Sequence, residues 1–201
     1  MTRMLCVCGS QQSRSANRAA LDIVANVATA RGMAVDTFDD IGTLPPFDAG
    51  RVDDDIDTVS RWRRAIDAVD LVMVGAPEYA GGLAGIVKNA FDWLVGSATL
   101  YRKPVALLSA GTSGGWFARQ HLAQTLTWQG AYVVGHLGIS HPATKTDDAG
   151  RIVEPATVSA LTELTTIAID AAAMSGPDLV ALAGGVVRSL GIDESRVAPA
   201  A

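Results

Sequence analysis

The chain has 201 residues, is 49% hydrophobic, and carries 16 basic against 21 acidic residues for a net charge of −5. That length and apolar content predict one main domain with a sizeable core. The acidic balance argues against nucleic acid or an anionic membrane surface as partner, and no apolar stretch is long enough to cross a bilayer. Cys6 and Cys8 share an apolar run, and the three histidines stand at no ligand spacing, so the thiols read as core residues and no metal site is expected. Met1 leads straight into a strand-like run with no signal-peptide pattern, and a cytoplasmic location is expected.

Met4-Leu5-Cys6-Val7-Cys8 is a short continuous apolar run, the pattern of a buried parallel strand. A polar loop, Ser10 to Asn17, leads into a helix marked by Leu21, Val24, Val27 and Ala28 and closed by Gly32. Ala34 to Phe38 is the second strand. Asp39 to Asp54 is a loop, because Pro45-Pro46 forbids helix, and Phe47 anchors it. Ile56, Val59, Ile66 and Val69 mark a second helix, with Arg61, Arg63 and Arg64 on its solvated face. Leu71 to Val74 is the third strand. Gly75 to Gly85 is a glycine-rich loop, and a third helix carries Val87, Ala90, Phe91 and Leu94 to a stop near Gly96. Lys103 to Ser109 is the fourth strand, with Pro104 at its start. A second glycine-rich loop, Ala110 to Trp116, opens the fourth helix. Ala131 to Val134 begins the fifth strand, a polar connection spans residues 144–150, and Pro155 opens the fifth helix.

Five strand–helix alternations give an α/β doubly wound, three-layer sandwich with a five-stranded parallel sheet. The flavodoxin-like order 2-1-3-4-5 places a ligand at the carboxyl ends of strands 1 and 3. The loops after strands 1, 3 and 4 converge there. The first offers hydroxyls, Arg14 and a helix N-terminus, which together suit a phosphate, although Ser13 or Ser15 also suits a plain N-cap. The second offers Tyr79 between glycines, suited to a flat π system or to anchoring the loop. The third can aim main-chain N–H groups at an anion. No Gly-x-Gly-x-x-Gly follows strand 1 and no P-loop motif occurs, which disfavours dinucleotide and nucleoside-triphosphate folds.

Gly9-Ser10, Ser15-x-Asn17, Leu44-Pro45-Pro46-Phe47-Asp48 and Pro77-Glu78-Tyr79 with Gly85, Lys88-Asn89-Ala90 and Asp92-Trp93 resemble the NAD(P)H-dependent FMN reductase family, which includes quinone, azo-dye and chromate reductases. The resemblance covers residue 3 to about 170. It implies a flavodoxin-like fold, non-covalent FMN, NADPH or NADH as co-substrate, and a homodimer or homotetramer. Hydride would pass via flavin N5 to free flavin, a quinone or a similar small acceptor in a ping-pong order. It further implies that Ser10, Ser15 and Asn17 hold the FMN phosphate, with Arg14 replacing the arginine many members carry where Gln12 stands. Pro77, Glu78, Tyr79 and Gly81 would line the isoalloxazine. Gly111, Ser113 and Gly114 would face its pyrimidine edge. Many members have Asn at the position of Ala80 and Pro at that of Ala84. The cofactor carries hydride chemistry, so no side chain is assigned a catalytic role and the three histidines stay outside the site. Lys88, Asp92 and Trp93 are expected at a subunit interface, although Lys88 and Asp92 also suit a pair along one helix and Trp93 also suits the core. Trp116 suits either a wall of the substrate space or the core. The alternatives to an enzyme are a flavodoxin-like electron carrier and an FMN-binding protein without turnover. Residues 1–174 form the expected flavin-binding domain. Residues 175–201 form a C-terminal extension with a sixth helix over 177–190, expected to pack on the sheet or a partner subunit, or to act as a swapped arm or lid.

Overall fold

The computed structural model describes residues 2–199. Five strands, β1 (Arg3–Cys8), β2 (Ala34–Phe38), β3 (Leu71–Gly75), β6 (Pro104–Gly111) and β7 (Tyr132–Ser140), form one parallel sheet in the order β2-β1-β3-β6-β7. Counting only these five, that is the expected order 2-1-3-4-5. β3 is buried along its whole length and β1 at all but its first residue, which is why both read as unbroken apolar runs. The other two strands are a hairpin absent from the expectation: β4 (Glu78–Tyr79) pairs antiparallel with β5 (Gly82–Leu83). Two-residue strands carry too little alternation to read from sequence.

Among the described residues six α-helices flank the sheet: α1 (Ala16–Ala30), α2 (Asp57–Asp67), α3 (Gly85–Asp92), α4 (Trp116–Trp128), α5 (Pro155–Ala172) and α6 (Gly176–Ser189). α2 buries Val59, Trp62 and Ile66. Trp62 lies against Phe38 at 4.9 Å and Phe91 at 5.7 Å, and its Nε1 donates to Ala90 O at 2.7 Å. Truncation of Trp62 to alanine would cost about 3–5 kcal/mol. Arg63 is less solvated than its neighbours on α2, donating to the carbonyls of Trp93 and Val52. The Lys103 ammonium, half-buried, donates to Ile66 O at 2.5 Å and Val69 O at 2.7 Å and closes the end of α2.

The residue 39–54 loop is held by α3. The Asn89 side chain accepts from Phe47 N at 2.7 Å and donates to Pro45 O at 2.9 Å, and Trp93 Nε1 donates to the same carbonyl at 2.8 Å. Trp93 is fully buried, edge-on to Phe47 at 5.2 Å, so its place is the chain's own core rather than a subunit surface. Lys88 and Asp92 do form an i, i+4 pair at 2.5 Å.

α6 packs against β7, an edge strand of the sheet. Its Leu179 and Ala183 join the core cluster on one side of the sheet, and its Val187 joins the other along with Leu190. Cys6 and Cys8 are buried free thiols, and burial pushes Cys6 up to about 12, which leaves it protonated and inert.

Candidate functional site

The carboxyl ends of β1, β3 and β6 open onto a cleft of about 740 Å³, a volume suited to a mononucleotide-sized ligand. Four walls enclose it. The first runs from Ser10 to Asn17, the second is Pro77 to Tyr79, the third is Ala110 to Thr112, and the fourth comes from the connection after β7, residues 141–150.

The first wall is polar. Ser15 is the N-cap of α1, its hydroxyl accepting from Arg18 N at 3.4 Å. Ser10 Oγ accepts from Gln12 N at 3.4 Å. Each hydroxyl keeps its proton for a further partner. The first turn of α1 holds no acidic residue, so nothing there opposes an anion at the positive end of the helix. Arg14 reaches to the fourth wall and donates to Asp148 O at 2.5 Å, with further guanidinium N–H groups in reserve. Asn17 is different. Its amide donates to Ala110 O at 3.2 Å and accepts from Ala110 N at 2.9 Å, and the side chain is 3% exposed. Asn17 therefore pins α1 to the end of β6, and at most one of its amide N–H groups remains for the phosphate role the resemblance implied.

The second wall starts where backbone meets backbone. A Cβ at Gly9 would lie 2.3 Å from Val87 Cγ2 and 3.0 Å from Pro77 Cδ, so only glycine lets the ends of β1 and β3 close up. Beyond Pro77, the β4–β5 hairpin turns through Ala80 at φ 51° and Gly81 at φ 70°. Both are left-handed, the signature of a type I′ turn, for which Asn-Gly is the favoured pair. Gly81 thus serves the turn and does not line the cleft. Tyr79 stands beside the cleft, 54% exposed. The Glu78 carboxylate accepts from Ser113 Oγ at 3.2 Å, Phe117 N at 2.7 Å and Ala118 N at 3.1 Å. It caps α4, whose own N-cap is Gly115 with no side chain to offer.

In the third wall, Gly111 and Thr112 reach the cleft, whereas Ser113 and Gly114 do not. Ser113 is drawn to Glu78 and to a bridge with Ser140, and Gly114 folds back through its N–H to Gly111 O at 3.1 Å. A Cβ at Gly111 would meet no atom within 4 Å, so that glycine leaves the cleft side open. Trp116 is 41% exposed at the start of α4, with the Arg119 guanidinium 5.5 Å from its ring.

The fourth wall went unread in the sequence. His141, at φ 49°, turns the chain out of β7, and Pro142 to Thr144 with Asp147 and Asp148 complete the enclosure. The bridge between Thr146 and Ile152 and the Arg151–Asp147 pair hold this segment folded back on itself. Its residues follow no helix or strand period, so they read as a polar connection with turn residues and not as a wall of the cleft.

One end of the cleft is thus hydroxylic and cationic, and the other is bordered by Pro77, Tyr79 and an open glycine, which fits a phosphate joined to a flat ring system. The profile of the NADPH-dependent FMN reductase family matches residues 2–144. This chain belongs to that family. It is 30% identical over 164 residues to an NAD(P)H-dependent FMN reductase of Pseudomonas aeruginosa, covering 76% of this chain and 85% of that protein. It is also 30% identical over 124 residues to a 2-hydroxy-1,4-benzoquinone reductase of Burkholderia, covering 58% and 67%. Among solved structures, FerB of Paracoccus denitrificans, a flavoenzyme NAD(P)H:(acceptor) oxidoreductase, superposes with a TM-score of 0.69 at 23% identity, covering 85% of this chain and 96% of that one. The fold is flavodoxin-like, and the family's chemistry is flavin-dependent oxidoreduction with FMN and NAD(P)H. Among the described residues no cluster of His, Cys, Asp and Glu could hold a metal ion, and no helix is long and apolar enough to cross a membrane.

Proposed function

We propose that this chain binds FMN in the cleft and uses it to move a hydride from NADPH or NADH to a small acceptor, a quinone or free flavin, in a ping-pong order. The observation that carries the reading is the division of one cleft into a phosphate-suited end and a ring-suited end at the crossover of β1 and β3. Ser10 and Ser15 donate hydroxyl hydrogen bonds to the phosphate, and the first turn of α1 adds main-chain N–H groups. Arg14 adds charge. Pro77 and Tyr79 border the ring, and Gly111 with Thr112 present backbone to its edge. When bound, FMN supplies the hydride acceptor and donor. Nicotinamide and acceptor use the ring face beside Tyr79 in turn, which gives the ping-pong order.

The same reading includes self-association. A groove of about 620 Å³ between α3 and α4 is lined by Lys88, Asp92, His121 and the exposed Val95 and Trp128. An apolar patch with a paired charge beside it suits a second copy of the chain. Light scattering should return a homodimer or homotetramer.

FMN added to purified protein should lose fluorescence, and anaerobic NADPH or NADH should then bleach the flavin absorption within minutes. Absence of FMN quenching sinks the reading. Binding with bleaching only on addition of a separate reductase would make the chain an electron carrier.

A further inference from the structure

Arg119 is a buried cation with no part in the cleft. Only 7% exposed, it packs over Trp116, and burial lowers its pKa while the charge of Glu78 partly restores it. Its Nε donates to Gly114 O at 3.3 Å, and its Nη1 lies 2.5 Å from His136 Nδ1. Arginine has donors and no acceptor, so Nδ1 must present its lone pair. The neutral imidazole then carries its proton on Nε2, which donates to Ser189 Oγ at 3.1 Å, and Ser189 donates on to Val186 O at 2.7 Å. A chain of directed hydrogen bonds therefore runs from the turn after β6, through α4 and β7, into α6. The space for it is specific. A Cβ at Gly138 would lie 2.6 Å from Gly114 O and 2.7 Å from Arg119 Nη2, so glycine at that point of β7 is what admits the tether.

We propose that Arg119, His136 and Ser189 form a proton-sensitive tether that positions the turn carrying Gly111 and Thr112, so that protonation of His136 loosens the flavin site. The proposal rests on the FMN reading above. A proton taken from solvent onto Nδ1 turns the acceptor into a donor facing a donor. It also places two cations in contact. Arg119 must then withdraw, Gly114 O loses its side-chain donor, and the turn closed by Gly114 N to Gly111 O at 3.1 Å is released. The groups around the imidazole are Arg119 from α4, Ser189 from α6 and Leu107 alongside in β6, with Glu78 beyond Arg119. Arg119 is the one charge in contact among them. Burial, and then Arg119, hold His136 below its ordinary value of 6.5, so the tether is intact near neutrality and opens as pH falls below that value.

The test compares wild type with His136→Gln, whose amide can accept from Arg119 and donate to Ser189 at every pH. FMN dissociation constants are measured by flavin quenching from about pH 7.5 down to about pH 5. The FMN phosphate also titrates in this range, but it does so equally for both proteins and cancels in their ratio. That ratio should change about tenfold, the equivalent of one pH unit of linked titration. Parallel profiles overturn the proposal. A second readout needs no flavin: Trp116 lies 6.5 Å from His136, and an imidazolium quenches indole emission. Tryptophan emission of the flavin-free wild type should fall below about pH 6.5. It should stay level in His136→Gln and in Trp116→Phe. Coincident emission curves for wild type and His136→Gln overturn the tether even if FMN binds well. Failure of wild type to bind FMN overturns the cofactor reading, and the emission curves still decide whether His136 titrates against Arg119. Arg119→Lys should not restore wild-type affinity, because an ammonium lacks the planar fork that reaches Gly114 O and His136 together. Full restoration by lysine would show that charge alone is needed and would also overturn the tether.

Discussion

Two turns border the cleft, and they use their polar atoms in opposite ways. The turn after β1, residues 10–15, is held by weak or local contacts: Gln12 N and Arg18 N reach Ser10 Oγ and Ser15 Oγ at 3.4 Å each, Cys8 Sγ reaches Ser10 O at 3.8 Å, Ala19 N closes the first helical turn on Ser15 O, and Arg14 donates to Asp148 O. Among the described residues, the side chains of Gln12 and Ser13 have no hydrogen-bond partner. The turn after β6, residues 111–115, is bound on every side: by Glu78 through Ser113, by Arg119 through Gly114 O, and by the bridge to Ser140. Both turns are rich in small and polar residues. One has donors left for a ligand, and the other presents only Gly111 and Thr112 because Ser113 and Gly114 hold it still. A loop's composition states which atoms exist; the surrounding contacts decide which remain for binding.

Within the comparison of the two turns, the largest effect should come from the residue that links them. Asn17→Ala strands the buried N–H and C=O of Ala110, and should lower unfolding free energy by about 2–4 kcal/mol in urea titration. A loss under about 0.5 kcal/mol would mean that the rigid turn does not depend on Asn17. Glu78→Ala removes the cap of α4 and the anchor of Ser113 together. It should cost about 2 kcal/mol by the same measurement, with FMN affinity falling as well. Unchanged affinity would show that the rigidity of the second turn does not matter to the ligand.

Arg14→Ala probes the open turn and should separate binding from stability. FMN affinity should fall about tenfold, riboflavin affinity should change little, and the unfolding midpoint should stay within about 0.5 kcal/mol of wild type. Equal losses for FMN and riboflavin would remove the phosphate from this end of the cleft. The smallest effect is a gain. Ala80→Asn places at the left-handed first position of the hairpin turn a residue that tolerates it, and should raise stability by about 0.5–1 kcal/mol.

The sheet was legible because its central strands are buried on both faces, so β1, β3 and β6 stand out as apolar runs between polar loops. Val59 and Ile66 lay on a readable helical face, whereas Trp62 on the same face went unread. The site was legible in outline, since the crossover rule brings the three loops together before any side chain is considered. Its detail was not. Whether Asn17 serves a phosphate or Ala110 is decided by a partner 93 positions away, and Glu78 reaches across nearly 40 residues to cap a helix. The fourth wall lacks a period, and the type I′ hairpin is hidden by an alanine where the turn prefers asparagine. Trp93 shows the same limit in the core: its helix position suited an outer face as well as an inner one until the Pro45-Phe47 segment folded over it.

α6 has a consequence for aggregation. A parallel sheet ends in two rows of unpaired backbone groups, and each invites a strand from another molecule. With α6 packed on β7, that end is covered. The other end, β2, is five residues long and carries Asp36 in an ion pair with Arg3 at 2.7 Å, a charge that discourages strand addition. Growth by sheet extension is thereby discouraged at both margins. Deleting residues from 175 onward would uncover β7 and should make the protein precipitate at lower concentration than the full chain, as turbidity would show.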